Sequence, residues 1–583
     1  MRGKPPASVF FVVLHILMKQ VCGKGGRRMG RRGLFLKNAA VLTAATLALR
    51  LIGMVFRVVI SNRLGAEGMG LYQIVVSGYT LASTLASAGI SLAVTRLVSE
   101  EQIRTRRDGM KKLMGFCIGV SAALGSVMAV VLYAAAGILA AGWIGEPDTA
   151  ASLRVLSLSL PFMAVSAALR GYFTARRRIA FSSVAQLLEQ GVKFAACMAF
   201  ITIWGINSTT FGCFLVMAAD TLSEWFSFAF QYVGYRADTR RLPQKGQPLP
   251  RTPPLAVRLF EIAAPVAGVR IVGSVLYTVE NTLVPNLLEK FLAASLETGA
   301  AHSGALAQWG QLKGMGIPVL MFPSTLLAAF VLLLVPELSE LRARNDRSRS
   351  EQVVGLALHI TLAAAIGIAA GLYLLAPELC EAIYPGQGIG FYVRVLAPLV
   401  PFIYLENVAE GMLKGLGEQK ITLKYSFINV AVRLGLIAVL VPRAGMPGFL
   451  WMMLADNVVT ALLHANRVLT VMEMRTDWSR WVLRPLAAAA VVYLGGAFFR
   501  TRLLAMGGAG CGSPLVWGQV WRWDTSACWL CCAVLRQNSC IYCSIGEKTA
   551  KKHEFPVKTC VKTVSGLESA NGMCYTLSVY VIG

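Results

Sequence analysis

Residues 154–162 read Arg-Val-Leu-Ser-Leu-Ser-Leu-Pro-Phe, and 240 positions later residues 394–402 read Arg-Val-Leu-Ala-Pro-Leu-Val-Pro-Phe. The register continues, with Gly171 answered by Gly411 and Val192-Lys193 by Val432-Arg433. Earlier in each half, Leu49-Arg50-Leu51-Ile52-Gly53 with Val55 is matched by Val269-Arg270-Ile271-Val272-Gly273 with Val275 at an offset of 220. Ser83-Thr84-Leu85 is echoed by Ser324-Thr325-Leu326. Several matches in the same order mark a duplicated architecture.

The duplicated stretches are too apolar for water. Of 583 residues, 56% are hydrophobic and 15% charged, against about 25% charged in soluble chains, so the bilayer must be the solvent. Runs of about 20 apolar residues, the length that crosses a ~30 Å hydrocarbon core, number thirteen. They lie near 36–60, 70–95, 114–142, 153–173, 182–204, 211–234, 259–288, 310–336, 353–376, 390–413, 421–441, 445–471 and 485–505. Gly314, Gly316, Pro318 and Pro323 interrupt one of them, which a membrane helix tolerates.

The charge excess of +26 sits in alternate connections. Arg104, Arg106 and Arg107, then Arg176 to Arg178, then Arg342, Arg344 and Arg347 stand on one side, while the intervening links are short and poor in Lys and Arg. The positive-inside rule makes the basic side cytoplasmic and puts the N-terminus there. This placement accounts for the charge without nucleic acid as a partner.

The sequence predicts an all-α polytopic membrane protein with two six-helix lobes, 36–235 and 259–472. The basic loop 236–258 joins them, and 485–505 adds a thirteenth helix outside the duplication. Six spans return the chain in the same orientation, so the lobes are expected to be related by a pseudo-two-fold axis along the membrane normal, as in transporters. Residues 1–35 form a basic extension whose apolar run, Val9 to Met18, is too short to span; a second start stands at Met29. The tail 507–583 holds eight of the 13 Cys. Its pairs Cys528/Cys531 and Cys540/Cys543 are separated by only eight residues, shorter than a zinc ribbon wants, so the tail is read as disordered or frame-shifted, with no metal and no cofactor.

Ionisable residues inside spans cost about 2.5–3.5 kcal/mol on insertion scales and therefore point to function. Arg50, its repeat mate Arg270, and Arg57, two turns from Arg50 on the same face, are the candidate cationic lining of a central cavity. Their bidentate, permanently charged guanidinium groups suit a phosphate-bearing substrate. Glu280 is either a partner for these arginines or, with the like-charged pairs Asp220/Glu224 and Glu406/Glu410, a candidate for ion or proton coupling. Glu189 and Lys193 have the spacing of an intrahelical ion pair, and His464 reads as a packed core histidine.

Arg50-Leu51-Ile52-Gly53, then Asn62-Arg63-Leu64-Gly65-Ala66-Glu67-Gly68-Met69-Gly70-Leu71-Tyr72-Gln73 and Ala88-Gly89-Ile90, resemble the N-terminus of the stage V sporulation protein B family. So do Gly314-Met315-Gly316-Ile317-Pro318, Ala397-Pro398-Leu399 and Leu413-Lys414-Gly415-Leu416-Gly417-Glu418-Gln419, and the likeness runs from about 33 to 505. The resemblance implies the multidrug/oligosaccharidyl-lipid/polysaccharide exporter superfamily, whose members have two V-shaped lobes and typically fourteen helices, and whose relatives include lipid II flippases. It implies two cavity arginines on the first helix: Arg50 matches the first, and Arg57 stands one residue beyond the second. The acidic residue that the flippases carry after the first outer loop is replaced here by Gly70-Leu71. The function implied is a non-enzymatic flippase of the cytoplasmic membrane. It would carry a polyprenyl-diphosphate-linked saccharide by alternating access, with membrane lipids and a coupling cation or proton as partners. A cation-coupled drug exporter of the same fold would want a carboxylate where Arg50 stands; a non-transporting envelope scaffold is the other alternative.

Overall fold

The computed structural model describes residues 31–103, 107–240, 254–294, 298–474 and 479–505, and all regular structure among them is helical. The expectations for residues 1–30 and for the Cys-rich tail fall outside the described residues. Helices dominate because hydrocarbon offers no partner for a free N–H or C=O, so each apolar run must satisfy its own backbone. In order these are α1 (Arg31–Ser87), α2 (Ile90–Ile103), α3 (Arg107–Leu139), α4 (Ala150–Ser157), α5 (Leu160–Ala175), α6 (Ile179–Trp204), α7 (Thr209–Arg240) and α8 (Leu255–Leu292). There follow α9 (Thr298–Trp309), α10 (Ile317–Met321), α11 (Ser324–Ala343), α12 (Arg347–Ile383), α13 (Gly390–Leu396), α14 (Val400–Gly415), α15 (Gln419–Met472) and α16 (Arg484–Ala505). The chain divides into a unit ending at Tyr493 and another from Leu494, in which the described residues 494–505 are helical.

Eight helices among the described residues are long and apolar enough to cross a membrane, and the pair Pro147–Ser157 and Leu160–Ala175, bent by 40°, makes a ninth. Two of the eight are double. A straight helix of 57 residues would be roughly 85 Å long, about twice a bilayer with its headgroups. Accordingly α1 breaks at Gly65 (φ 72°) and the 54-residue α15 at Gly445 (φ 59°), left-handed conformations that glycine adopts without strain. Every predicted span lies on helical chain. The span 310–336 is the least regular, with a π turn at Gly310–Gly316 ahead of Pro318 and a break before Ser324, because each proline removes a backbone donor.

One helix crossing follows the 240-residue offset of the sequence repeat. A Cβ on Gly70 would stand 2.0 Å from the Leu306 carbonyl oxygen, and one on Gly310 would stand 1.8 Å from that of Ala66. Both contacts join residues whose partners lie 240 positions away, so the crossing of the second half of α1 with α9 and its π turn is reciprocal. Nothing larger than glycine fits at either place. Gly310→Ala should therefore lower stability by about 1–3 kcal/mol, the cost of overpacking. Adding Gly70→Ala should cost less than its single effect, because both act on one crossing. Gly53→Ala, with open space around it, should be neutral in the same thermal melts; additive losses at the two crossing glycines would refute the shared contact.

Polar ties also join the first half of the chain to the second. His302 on α9 meets Glu289 of α8 through Nδ1 at 2.9 Å and Glu146, in the turn after α3, through Nε2 at 3.5 Å. At the end carrying the basic loops, Arg258 of α8 pairs with Glu100 of α2. Midway, Thr278 on α8 donates to the Ser77 carbonyl at 2.9 Å.

Candidate functional site

Two charged clusters and one open cationic face hold the candidate site residues. The face begins with Arg57 on α1, half-buried and within electrostatic reach of the phenols of Tyr277 on α8 and Tyr384 at the end of α12. Tyr277 is the repeat mate of Arg57 at the offset of 220, and its hydroxyl donates to Gln73 Oε1 at 3.3 Å. Seven residues before Arg57 and Tyr277 stand Arg50 and Arg270, on the same faces of their helices two turns nearer the basic loops. Both are exposed, and among the described residues neither has a carboxylate within ion-pair distance. Glu280 is not the partner of any of the three arginines.

Glu280 is instead saturated by cations that the sequence reading passed over. Lys313, in the π turn, approaches its Oε1 at 2.5 Å, and Arg433 of α15 donates to the same oxygen at 3.1 Å. Arg433 also reaches Asp456 Oδ2 at 3.3 Å, while Asn429 holds the other Asp456 oxygen at 2.9 Å and Thr460 at 2.7 Å. The Lys313 ammonium lies 5.4 Å over the Trp309 ring and 5.9 Å from that of Phe449. Two acids and two bases make the cluster neutral, which is how a low-dielectric interior holds charge. It ties α8, the π turn and both halves of α15 together. The signal was present in the sequence: Arg433 is the repeat mate of Lys193, and Lys313 is a lone cation within an apolar run.

The first half uses that mate in the same way. Lys193 of α6 pairs with Asp220 of α7 at 2.5 Å, not with Glu189. In both halves the cation on the fifth span reaches an aspartate on the sixth, since this side of α6 faces α7 and an interhelical carboxylate lies nearer than the residue one turn away. Glu189 accepts from Ser227 Oγ at 2.7 Å, with Gln231 behind it. Glu224 has a buried carboxylate oxygen with no hydrogen-bond partner, and Arg170 acts electrostatically on both Glu189 and Glu224.

Of the remaining acids, Glu410 pairs with Lys414 one turn on at 2.8 Å, and Glu406 is half-buried. His464 is buried, its Nδ1 at 2.9 Å from the Thr460 carbonyl, as a core histidine should be. No group of three His, Cys, Asp or Glu side chains among the described residues could hold a metal ion.

Known proteins resemble the chain in sequence and in fold. The family model for polysaccharide biosynthesis proteins matches residues 35–300. Stage V sporulation protein B of Bacillus subtilis (strain 168) is 27% identical over 458 residues, 77% of this chain and 86% of that protein. The lipid II flippase MurJ of the same strain is 24% identical over 425 residues, 68% of this chain and 76% of the relative. Among solved structures, a lipid II flippase MurJ in an inward closed conformation superposes with a TM-score of 0.61 at 12% identity, covering 87% of this chain and 99% of that one, which is a likeness of fold. The chain is similar to polysaccharide biosynthesis proteins over residues 35–300 and to stage V sporulation protein B over most of its length, and it is a multi-pass membrane protein.

Proposed function

We propose that the protein is a flippase of the cytoplasmic membrane, with its basic loops and N-terminus inside, that moves a polyprenyl-diphosphate-linked saccharide. The observation that carries the reading is the pair Arg50 and Arg270. They are exposed and free of acidic partners among the described residues, in a part of the fold where an uncompensated charge is costly. An anion must supply what no carboxylate among the described residues does. Two guanidinium groups on repeat-related helices suit a diphosphate, and Arg57 with Tyr277 stands two turns further along the route. The polyprenyl tail stays in lipid while the head crosses. The lipid II flippase relative and the polysaccharide biosynthesis family model support the same substrate class.

Alternating access requires the two repeat halves to part at one end at a time. The Gly70/Gly310 crossing and the Glu100–Arg258 pair are the contacts to be broken, the first for opening away from the basic loops and the second for opening toward them. Coupling falls to Glu224 and Glu406, because Asp220, Glu280 and Glu410 are already held by cations. Arginine at position 50 disfavours a drug exporter that needs an acid there.

The test is translocation of a fluorescent lipid-linked saccharide by the full chain reconstituted in vesicles. Head-group reorientation above the protein-free rate is expected. Folded protein that leaves the rate at background would replace this reading with the scaffold.

A further inference from the structure

Arg394, the first residue of the motif that marks the repeat, serves no part of the proposed route. Its guanidinium lies 5.0 Å over the ring of Tyr373, and its mate Arg154 lies 5.6 Å over Tyr133, so cation and ring recur together at the same offset of 240. Both arginines are exposed, and neither has a carboxylate in ion-pair distance among the described residues. An arginine at a helix end over a tyrosine is commonly a snorkelling residue at the membrane interface. That suffices for Arg154.

Arg394 has something more beside it. Tyr373 lines a groove of about 700 Å³ between α12, the turn into α14, the second half of α15, and α16, within the range of about 300–1,000 Å³ typical of ligand sites. No charged side chain among the described residues lines the groove. Along α12 it extends from Leu358 to Tyr373, fifteen residues or roughly 22 Å of helix, most of one hydrocarbon core. Tyr373 and Tyr493, edge to face at 5.8 Å, close the end away from the basic loops, and Trp481 stands at the other. Pro398, one turn from Arg394, is part of the wall. Leu462 and Leu486, also lining, are exposed, so the groove opens on the outer surface of the bundle. The α16 wall has no counterpart in the first half, because it lies outside the duplication.

We propose that this groove holds an anionic phospholipid of the bilayer, one acyl chain along α12 and α16 and its phosphate on Arg394, drawn from the leaflet opposite the basic loops. Charge complementarity selects the head: a guanidinium without an acidic partner among the described residues, at the mouth of a groove they line without charge, wants a phosphate bearing net charge. The transported lipid is not the occupant, because no lining residue comes from α1, α8 or the π turn, which carry the candidate transport arginines and Lys313. The site is independent of the proposed transport function.

Native mass spectrometry of the delipidated full chain, titrated with phosphatidylglycerol, phosphatidylcholine or undecaprenyl diphosphate, tests this. One phosphatidylglycerol should be retained in preference to phosphatidylcholine. Arg394→Gln should weaken it about five- to tenfold, the effect of losing one arginine at an anionic lipid, and Arg394→Lys should weaken it less. Ala489→Trp, which fills the groove without altering charge, should also displace the lipid, while Arg154→Gln should not. Every variant is compared only after it elutes as a single species. Unchanged retention in Arg394→Gln and Ala489→Trp, an equal loss in Arg154→Gln, or preference for undecaprenyl diphosphate would each overturn the assignment.

Discussion

Replacing Arg50 and Arg270 together by alanine should lower translocation of a lipid-linked diphosphate about 100-fold or more while leaving the protein inserted and as stable as the wild type. A charge-assisted hydrogen bond is worth about 1.5–3 kcal/mol, so two arginines acting on one diphosphate control at least the ~2.8 kcal/mol that a factor of 100 represents. Stability should hold because neither residue makes an ion pair among the described residues and both are exposed. Arg50→Lys keeps the charge but loses the planar fork, so it should retain part of the activity, roughly a tenth. Arg57→Ala should cost less than either single alanine, since Arg57 is half-buried beside Tyr277 and Tyr384 and meets the substrate later. Wild-type rates in an inserted double variant would remove the cationic face from the mechanism.

How far the sequence led can be judged residue by residue. The motif at 154–162 and its mate at 394–402 located the duplication, and the reciprocal Gly70/Gly310 crossing is consistent with the same offset. Hydropathy located long apolar helices, eight or nine of which among the described residues can cross a membrane, because membrane helices must be long and apolar. It could not show that Gly65 and Gly445 each break one continuous helical run, since a glycine in a span is legible but its φ is not.

Charge partners were harder still. Glu189 and Lys193 have intrahelical spacing, yet Lys193 turns to Asp220, 27 residues away, because the facing helix brings a carboxylate closer. Lys313 and Arg433 converge on Glu280 from 33 and 153 positions distant. Spacing along one helix predicts neighbours on that helix; it is silent on what packing brings from another. The repeat held the missing clue, since Val192-Lys193 and Val432-Arg433 were legible as mates before either was known to bind an aspartate.

The Glu280 cluster carries the other large effect, and it falls on stability. Glu280 is 4% exposed at its side chain, Asp456 3%, Lys313 14% and Arg433 18%, so water screens little of what happens among them. Glu280→Ala would leave Lys313 and Arg433 facing each other around a lost carboxylate, with only Asp456 to balance both. Breaking a buried pair by removing one partner costs about 3–5 kcal/mol, because the charge left behind stays desolvated. A large fall in melting temperature of the detergent-solubilised protein is therefore expected. Glu410→Ala, at a half-exposed pair within one helix, should shift it by no more than the ~0.5 kcal/mol usual there. The discriminating variant is Glu280→Ala with Lys313→Met. Removing an acid and a base together restores neutrality, keeps Arg433 on Asp456, and leaves an apolar side chain beside Trp309 and Phe449, so more than half of the lost stability should return. If the double variant is as unstable as Glu280→Ala alone, charge compensation is not what holds α8 to α15.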